Sequence, residues 1–179
     1  MLRSVTSARK VLVFDHTLRD GTPDHGRPGV RDPVRRVHDD QTVESAPRRV
    51  ARHLPKDEAA LRLQRRYAIV NVWRPIGATV QRTPLAVCDA RSIEPADLLA
   101  GDLVYPDWIG ETYSFAYSPK HRWYCVPNQR TDEVTLLKIY DSATDGTARL
   151  TAHTAFDDPT SAPDAPPRRS IEVRCLVFW

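Results

Sequence analysis

Residues 67–73 read Tyr-Ala-Ile-Val-Asn-Val-Trp, a run of β-branched, aromatic and small apolar side chains that predicts a strand. One polar residue, Asn71, sits inside it. An amide in an apolar strand is costly unless its hydrogen bonds are met, so Asn71 is either satisfied by neighbours or offered to a ligand. Trp73 and Arg74 follow it, which makes Asn71, Trp73 and Arg74 candidate substrate-binding residues. The plain alternative is that Trp73 packs a core and Arg74 pairs with a carboxylate such as Asp89.

Strand-like runs recur on both sides of this segment. They are Lys10 to Phe14, Pro84 to Cys88, Glu111 to Tyr117, Arg122 to Val126, Val134 to Tyr140, Arg149 to Phe156 and Ser170 to Phe178. Ser118-Pro119-Lys120-His121 has the composition of a hairpin turn. Helical signals are few. Asp57 to Arg66 opens on two acids and closes on two arginines, matching the helix dipole at each end. A shorter helical turn is expected around Pro95 to Leu99. Residues 20–36 and 157–169 are rich in Gly, Pro, Asp and Arg without apolar periodicity and are expected to be loops. Many short strands joined by polar turns predict a mainly β chain, as a sandwich, barrel or jelly roll, organised as one domain over residues 1–179.

Composition narrows the class. The 41% apolar and 27% charged fractions are ordinary for a globular domain. No stretch approaches the ~20 apolar residues of a bilayer span, and the first ten residues carry three basic side chains but no apolar secretory core. A cytoplasmic protein without a membrane partner is the expectation. The formal charge is only +3, and the arginines are interspersed with acids, whereas nucleic-acid binding needs clustered charge. Cys88, Cys125 and Cys175 are odd in number and widely spaced within strand-like runs, so buried free thiols are expected.

The chemistry-bearing pattern begins at His38-Asp39-Asp40, the one His-x-Asp in the chain. In an extended segment residues two apart share a face, so His38 and Asp40 can grip one ion while Asp39 points away. A second imidazole is then needed, and His153, inside a late strand-like run, is the best placed. Two histidines and a carboxylate leave open positions for a co-substrate and oxygen on iron. Further on, Arg168 and Ser170 share a face at the head of the last strand, offering a guanidinium fork and a hydroxyl to a carboxylate. Arg174, on the same face, competes for that role. Each element alone has a bland reading: an incidental triplet, a satisfied strand histidine, a solvated loop end. Their order along the chain is the specific signal. A zinc hydrolase is a remote alternative that leaves Arg168 and Ser170 without a role.

Beyond spacing, the chain resembles the AsaB-type hydroxylase/desaturase family, also described as CmcJ/NvfI-like. The resemblance rests on VFDHT (Val13 to Thr17), VHDDQT (Val37 to Thr42), IVNVWRPI (Ile69 to Ile76), PLAVCD (Pro84 to Asp89), ETYSF (Glu111 to Phe115), HRWYCVP (His121 to Pro127), LLKIYDS (Leu136 to Ser142), AHTAFDDP (Ala152 to Pro159) and PRRSIEVRCLVFW (Pro167 to Trp179). It implies a double-stranded β-helix, a jelly roll of the cupin type with one or two flanking helices. It also implies a non-haem Fe(II)/2-oxoglutarate-dependent oxygenase that hydroxylates or desaturates a small secondary-metabolite substrate with O2. Carried over by position, the metal ligands would be His38, Asp40 and His153. Related proteins usually carry a further segment before the VFDHT-like stretch, and a non-catalytic binding or vestigial β-domain is the alternative that its absence here suggests. Within the final motif Arg169 stands where the family is usually acidic, at a position expected to point away from the site.

Overall fold

The computed structural model of the chain describes residues 1–179. Three helices, α1 (Leu2–Thr6), α2 (Ser45–His53) and α3 (Lys56–Leu63), accompany eleven strands. The strands are β1 (Lys10–Asp20), β2 (Val30–Arg31), β3 (His38–Asp39), β4 (Tyr67–Pro75), β5 (Leu85–Cys88), β6 (Leu98–Val104), β7 (Ile109–Phe115), β8 (Trp123–Cys125), β9 (Thr135–Asp141), β10 (His153–Ala155) and β11 (Arg169–Phe178). They form two sheets, β2-β1-β11-β4-β9 and β6-β7-β3-β10-β5-β8, and every pairing is antiparallel except β1 with β2.

The first sheet is built around the Tyr67–Trp73 run. β4 lies between β11 and β9, with Asn71 opposite Arg174 and Trp73 opposite Glu172 in the β4–β11 register. Period-two alternation then sorts the side chains into two faces. On the inner face Tyr67 and Ile69 of β4 join Leu137 and Ile139 of β9 and Leu176 and Phe178 of β11 in the main core. Ala46, Val50 and Leu54 of the α2 segment and Ala59 of α3 cover this core, and Leu85 and Val87 of β5 pack on it from the second sheet. On the outer face Ala68, Val70, Cys175 and Val177 form a smaller cluster under Leu2 and Ala8. Further along β4 and β11 the inner face changes character, and Asn71, Trp73, Ser170, Glu172 and Arg174 replace aliphatic residues. The apolar end anchors the sheet. The polar end is where a site can be built.

Several expectations need correcting. The Ser118–His121 turn does not close a hairpin: β7 pairs with β6 and β3, while β8 lies at the opposite edge of the sheet against β5. β1 runs to Asp20, beyond the expected Phe14, and a bulge between Val13 and Asp15 resets its register against β11. The helical turn near Pro95 is a short 3-10 segment, Pro95–Asp97, that leads at once into β6, a strand not expected from the sequence. α2 was also not expected, because Pro47 and a run of basic residues obscure its apolar face. Proline is tolerated in a first helical turn, and burial of Ala46 and Val50, four apart, supplies the anchor. Of the three free thiols, Cys88 and Cys175 are buried but Cys125 is exposed. No helix is long and apolar enough to cross a membrane.

Candidate metal centre

The site forms where the polar end of the first sheet faces β3 and β10 of the second. The β3–β10 ladder pairs His38 directly with His153, and their rings lie 4.3 Å apart between centroids. Asp40, two residues after His38, turns to the same side, with one carboxylate oxygen 3.6 Å from His38 Nε2. One potential ligand atom from each of His38, Asp40 and His153 lies within 4.8 Å of the other two.

Whether this trio suits a metal ion is decided by what holds each ligand. His38 Nδ1 donates to the carbonyl of Arg36 at 2.8 Å, and His153 Nδ1 donates to that of Thr151 at 2.9 Å. A carbonyl only accepts, so both Nδ1 atoms carry the proton and both Nε2 lone pairs are left for a ligand bond. Burial holds both imidazoles below their ordinary pKa, with each other's proximity adding to the effect on His38, so both rings are neutral at pH 7. At Asp40 burial works against ionisation, but Arg174, the two histidines and Asn71 outweigh it and hold the carboxyl below its usual range. Its Oδ2 accepts from Asn71 Nδ2 at 2.8 Å and from Arg174 Nε at 3.0 Å, while Oδ1 faces His38. Two neutral imidazoles and one oriented carboxylate are the donor set of a non-haem Fe(II) site. The residues fit the ion.

Asp39 points to the other face of β3 and is fully buried. Burial and the neighbouring Asp40 charge push its carboxyl well above the usual range.

The remaining residues singled out from the sequence divide into two groups. Arg168 is buried beside the trio, its guanidinium carbon 5.3 Å from the centre of the Trp73 ring, and it donates to the Thr83 carbonyl at 2.9 Å. Thr83 holds a left-handed backbone, φ 53°, in the turn before β5. Arg168 Nε and the buried Ser170 hydroxyl have no hydrogen-bond partner. Burial pulls the Arg168 guanidinium down to about 10. Arg168 and Trp73 share a narrow cleft with His38, His153 and Glu172. Arg174, in contrast, is engaged at all three nitrogens: besides Asp40 it bonds Glu172 at 2.5 Å, Thr17 at 2.8 Å and Asp15 at 3.0 Å. The Asn71 amide nitrogen donates to Asp40, while its amide oxygen is buried without a partner. Arg74 is exposed on the outer face, as strand alternation requires once Asn71 and Trp73 face inward, and Asp89 pairs with Arg91 and Arg122 instead.

Sequence reasoning missed Glu172, Asp15 and Thr17. Glu172 was legible, because Arg168-x-Ser170-x-Glu172-x-Arg174 is one period-two series on one strand face. Asp15 was not, because a bulge in β1 re-aims it, and bulges leave little trace in composition.

Asn71→Leu gives a first test of this support. The exchange removes the donor to Asp40 together with the amide oxygen that is buried without a partner. Mn(II) affinity, measured calorimetrically, is expected to fall about tenfold, while unfolding free energy changes by less than about 1 kcal/mol.

Comparisons with known proteins follow the same lines. A family model described as an oxidoreductase/YMDC permease-like domain matches residues 1–178. The chain is 36% identical over 202 residues to the hydroxylase/desaturase efuI of Hormonema carpetanum, covering 100% of this chain and 67% of that protein. It is 43% identical over 136 residues to the hydroxylase/desaturase asaB of Aspergillus flavus, covering 68% of this chain and 60% of the relative. Among solved structures, the iron and alpha-ketoglutarate-dependent endoperoxidase NvfI superposes with a TM-score of 0.90 at 36% identity, covering 99% of this chain and 65% of that one. The chain thus spans between 60% and 67% of the length of these relatives. The two sheets are those of a double-stranded β-helix, the jelly-roll cupin architecture.

Proposed function

This chain belongs to the AsaB-type hydroxylase/desaturase family of non-haem Fe(II)/2-oxoglutarate-dependent oxygenases, and from that premise we propose that it hydroxylates or desaturates a small secondary-metabolite substrate. The observation that carries the reading is the trio His38, Asp40 and His153, with both Nε2 lone pairs turned free by backbone carbonyls. In this reading the three residues would hold Fe(II). The bound ion, with 2-oxoglutarate and O2, supplies the oxidising power to break an unactivated C–H bond. The overall change is balanced: substrate, 2-oxoglutarate and O2 give hydroxylated substrate, succinate and CO2, and desaturation releases water in place of the new hydroxyl.

The chain's own groups would position and shield the reactants. Arg168 and Ser170 would take the distal carboxylate of 2-oxoglutarate, because a buried cation and a buried hydroxyl with unmet hydrogen-bonding capacity favour an anion between them. Arg174 is instead a positioning residue, since each of its three nitrogens already serves Asp40, Glu172, Asp15 or Thr17. Trp73 would wall the co-substrate cleft rather than touch the substrate. That cleft has a volume of about 20 Å³, so side chains must part for a five-carbon diacid to enter. A wider cavity of about 390 Å³ meets it at Arg19, Val34 and His38 and would receive the substrate. A cytoplasmic location, with neither nucleic acid nor membrane as partner, accompanies this reading.

Succinate release from labelled 2-oxoglutarate tests it. Release is expected to require both Fe(II) and O2 and to disappear in Asp40→Ala. Folded protein that binds neither metal nor 2-oxoglutarate would favour the non-catalytic β-domain instead.

A further inference from the structure

The wider cavity has a charge pattern that the iron chemistry does not explain. Arg31, Arg36 and Arg49 line it, and none of them is ion-paired with a carboxylate. Two arginines just outside it, Arg48 and Arg52, do have acidic partners, Glu111 and Asp107. The only acids on the cavity wall are Asp15 and Asp40, and Arg174 binds both. Fe(II) and doubly ionised 2-oxoglutarate cancel in charge, so loading the site would leave this wall as positive as before.

Two of these arginines are held in place by groups that leave their charge available. Arg36 donates to the Ser114 hydroxyl at 2.8 Å. Arg49 lies over the Trp108 ring at 4.4 Å, and Tyr105 stacks on that ring at 4.5 Å with the planes 4° apart. A guanidinium pinned on an aromatic face keeps its in-plane donors free for a bidentate acid. Burial lowers the pKa of Arg49, with Arg52 adding to the effect, as expected for a cation still lacking an anion. Phe14, Leu103 and Tyr105 give the same cavity an apolar flank.

Resting on the oxygenase reading above, we propose that the substrate is an amphipathic organic acid. Its apolar body lies along Phe14, Leu103 and Tyr105. Its carboxylate is taken by Arg36 and Arg49, with Arg31 adding to the field. These arginines therefore select the substrate and hold its acid group while another part of the molecule faces His38 and Asp40.

The test uses the full chain, anaerobic, with Fe(II) and saturating 2-oxoglutarate so that the co-substrate cleft is filled. Affinities for 2-naphthoate, 2-naphthyl phosphate and the neutral 2-naphthamide are read from tryptophan fluorescence. Naphthoate is expected to bind at least about tenfold more tightly than the amide. That preference is expected to fall to near unity in Arg36→Gln/Arg49→Gln, with Arg49→Lys retaining part of it. Equal affinity for acid and amide, no binding of either, or a preference unchanged in the double variant overturns the proposal. Tighter binding of the phosphate than of the carboxylate overturns the carboxylic-acid assignment. The Fe(II)–2-oxoglutarate charge-transfer band is recorded in every sample. Its presence without an acid preference defeats this inference alone, whereas its absence from the wild type defeats the oxygenase reading beneath it.

Discussion

Asp40→Ala is expected to weaken Fe(II) binding at least about a hundredfold, measured by anaerobic calorimetry. Loss of a partner behind a metal ligand already costs about 10–100-fold in affinity, and here the anionic ligand itself is removed. The variant also frees the Arg174 Nε–H, previously bonded to Asp40, beside the metal position. The fold should survive the change. Arg174 keeps Glu172 at 2.5 Å, Thr17 at 2.8 Å and Asp15 at 3.0 Å, so no buried charge is abandoned. Asn71 loses its acceptor, a penalty of about 1–3 kcal/mol if water does not replace it. A variant that stays folded and still binds Fe(II) as tightly as the wild type would place the metal elsewhere.

The second large effect belongs to Arg168. Arg168→Gln is expected to weaken 2-oxoglutarate about a hundredfold with metal affinity nearly unchanged. Truncating one partner of a buried, hydrogen-bonded charge pair costs about 2–5 kcal/mol, and the upper end applies where water cannot replace it. Glutamine can still reach toward the Thr83 carbonyl but offers neither the charge nor the fork of donors. Arg174→Gln should show the opposite split, with weaker metal and little change in 2-oxoglutarate affinity once metal is saturating. The pair of variants separates an anchor from a positioning residue. If Arg174→Gln loses 2-oxoglutarate and Arg168→Gln does not, the two roles are exchanged.

Much of the architecture could be read from strand chemistry. Tyr67 to Trp73 and Ser170 to Phe178 became adjacent strands of one sheet because their β-branched runs are long enough to register against each other. The candidate ligands were legible for a related reason. An extended backbone puts His38 and Asp40 on one side, and His153 lies in a run that pairs with that segment. What stayed hidden depended on tertiary partners. α2 has a proline in its first turn and is stabilised by burying Ala46 and Val50 against a sheet, which local composition does not report. The Ser118–His121 turn looks like that of a hairpin, yet β7 before it pairs with β6 and β3 near one edge of the second sheet, while β8 after it forms the other edge. Asn71 could be read as core or as ligand-binding, and the choice needed the position of Asp40 across the gap between the sheets. Arg168 and Arg174 share a strand face and could not be told apart until their partners were known.

The iron site is tested most simply by the visible spectrum of the full chain under anaerobic conditions as Fe(II) and 2-oxoglutarate are added together. A metal-to-ligand charge-transfer band is expected in the wild type, needing both additions and lost in Asp40→Ala and in His153→Ala. A well-folded wild type that gives no band, or a band that survives both substitutions unchanged, would contradict the assignment of His38, Asp40 and His153 as the iron site.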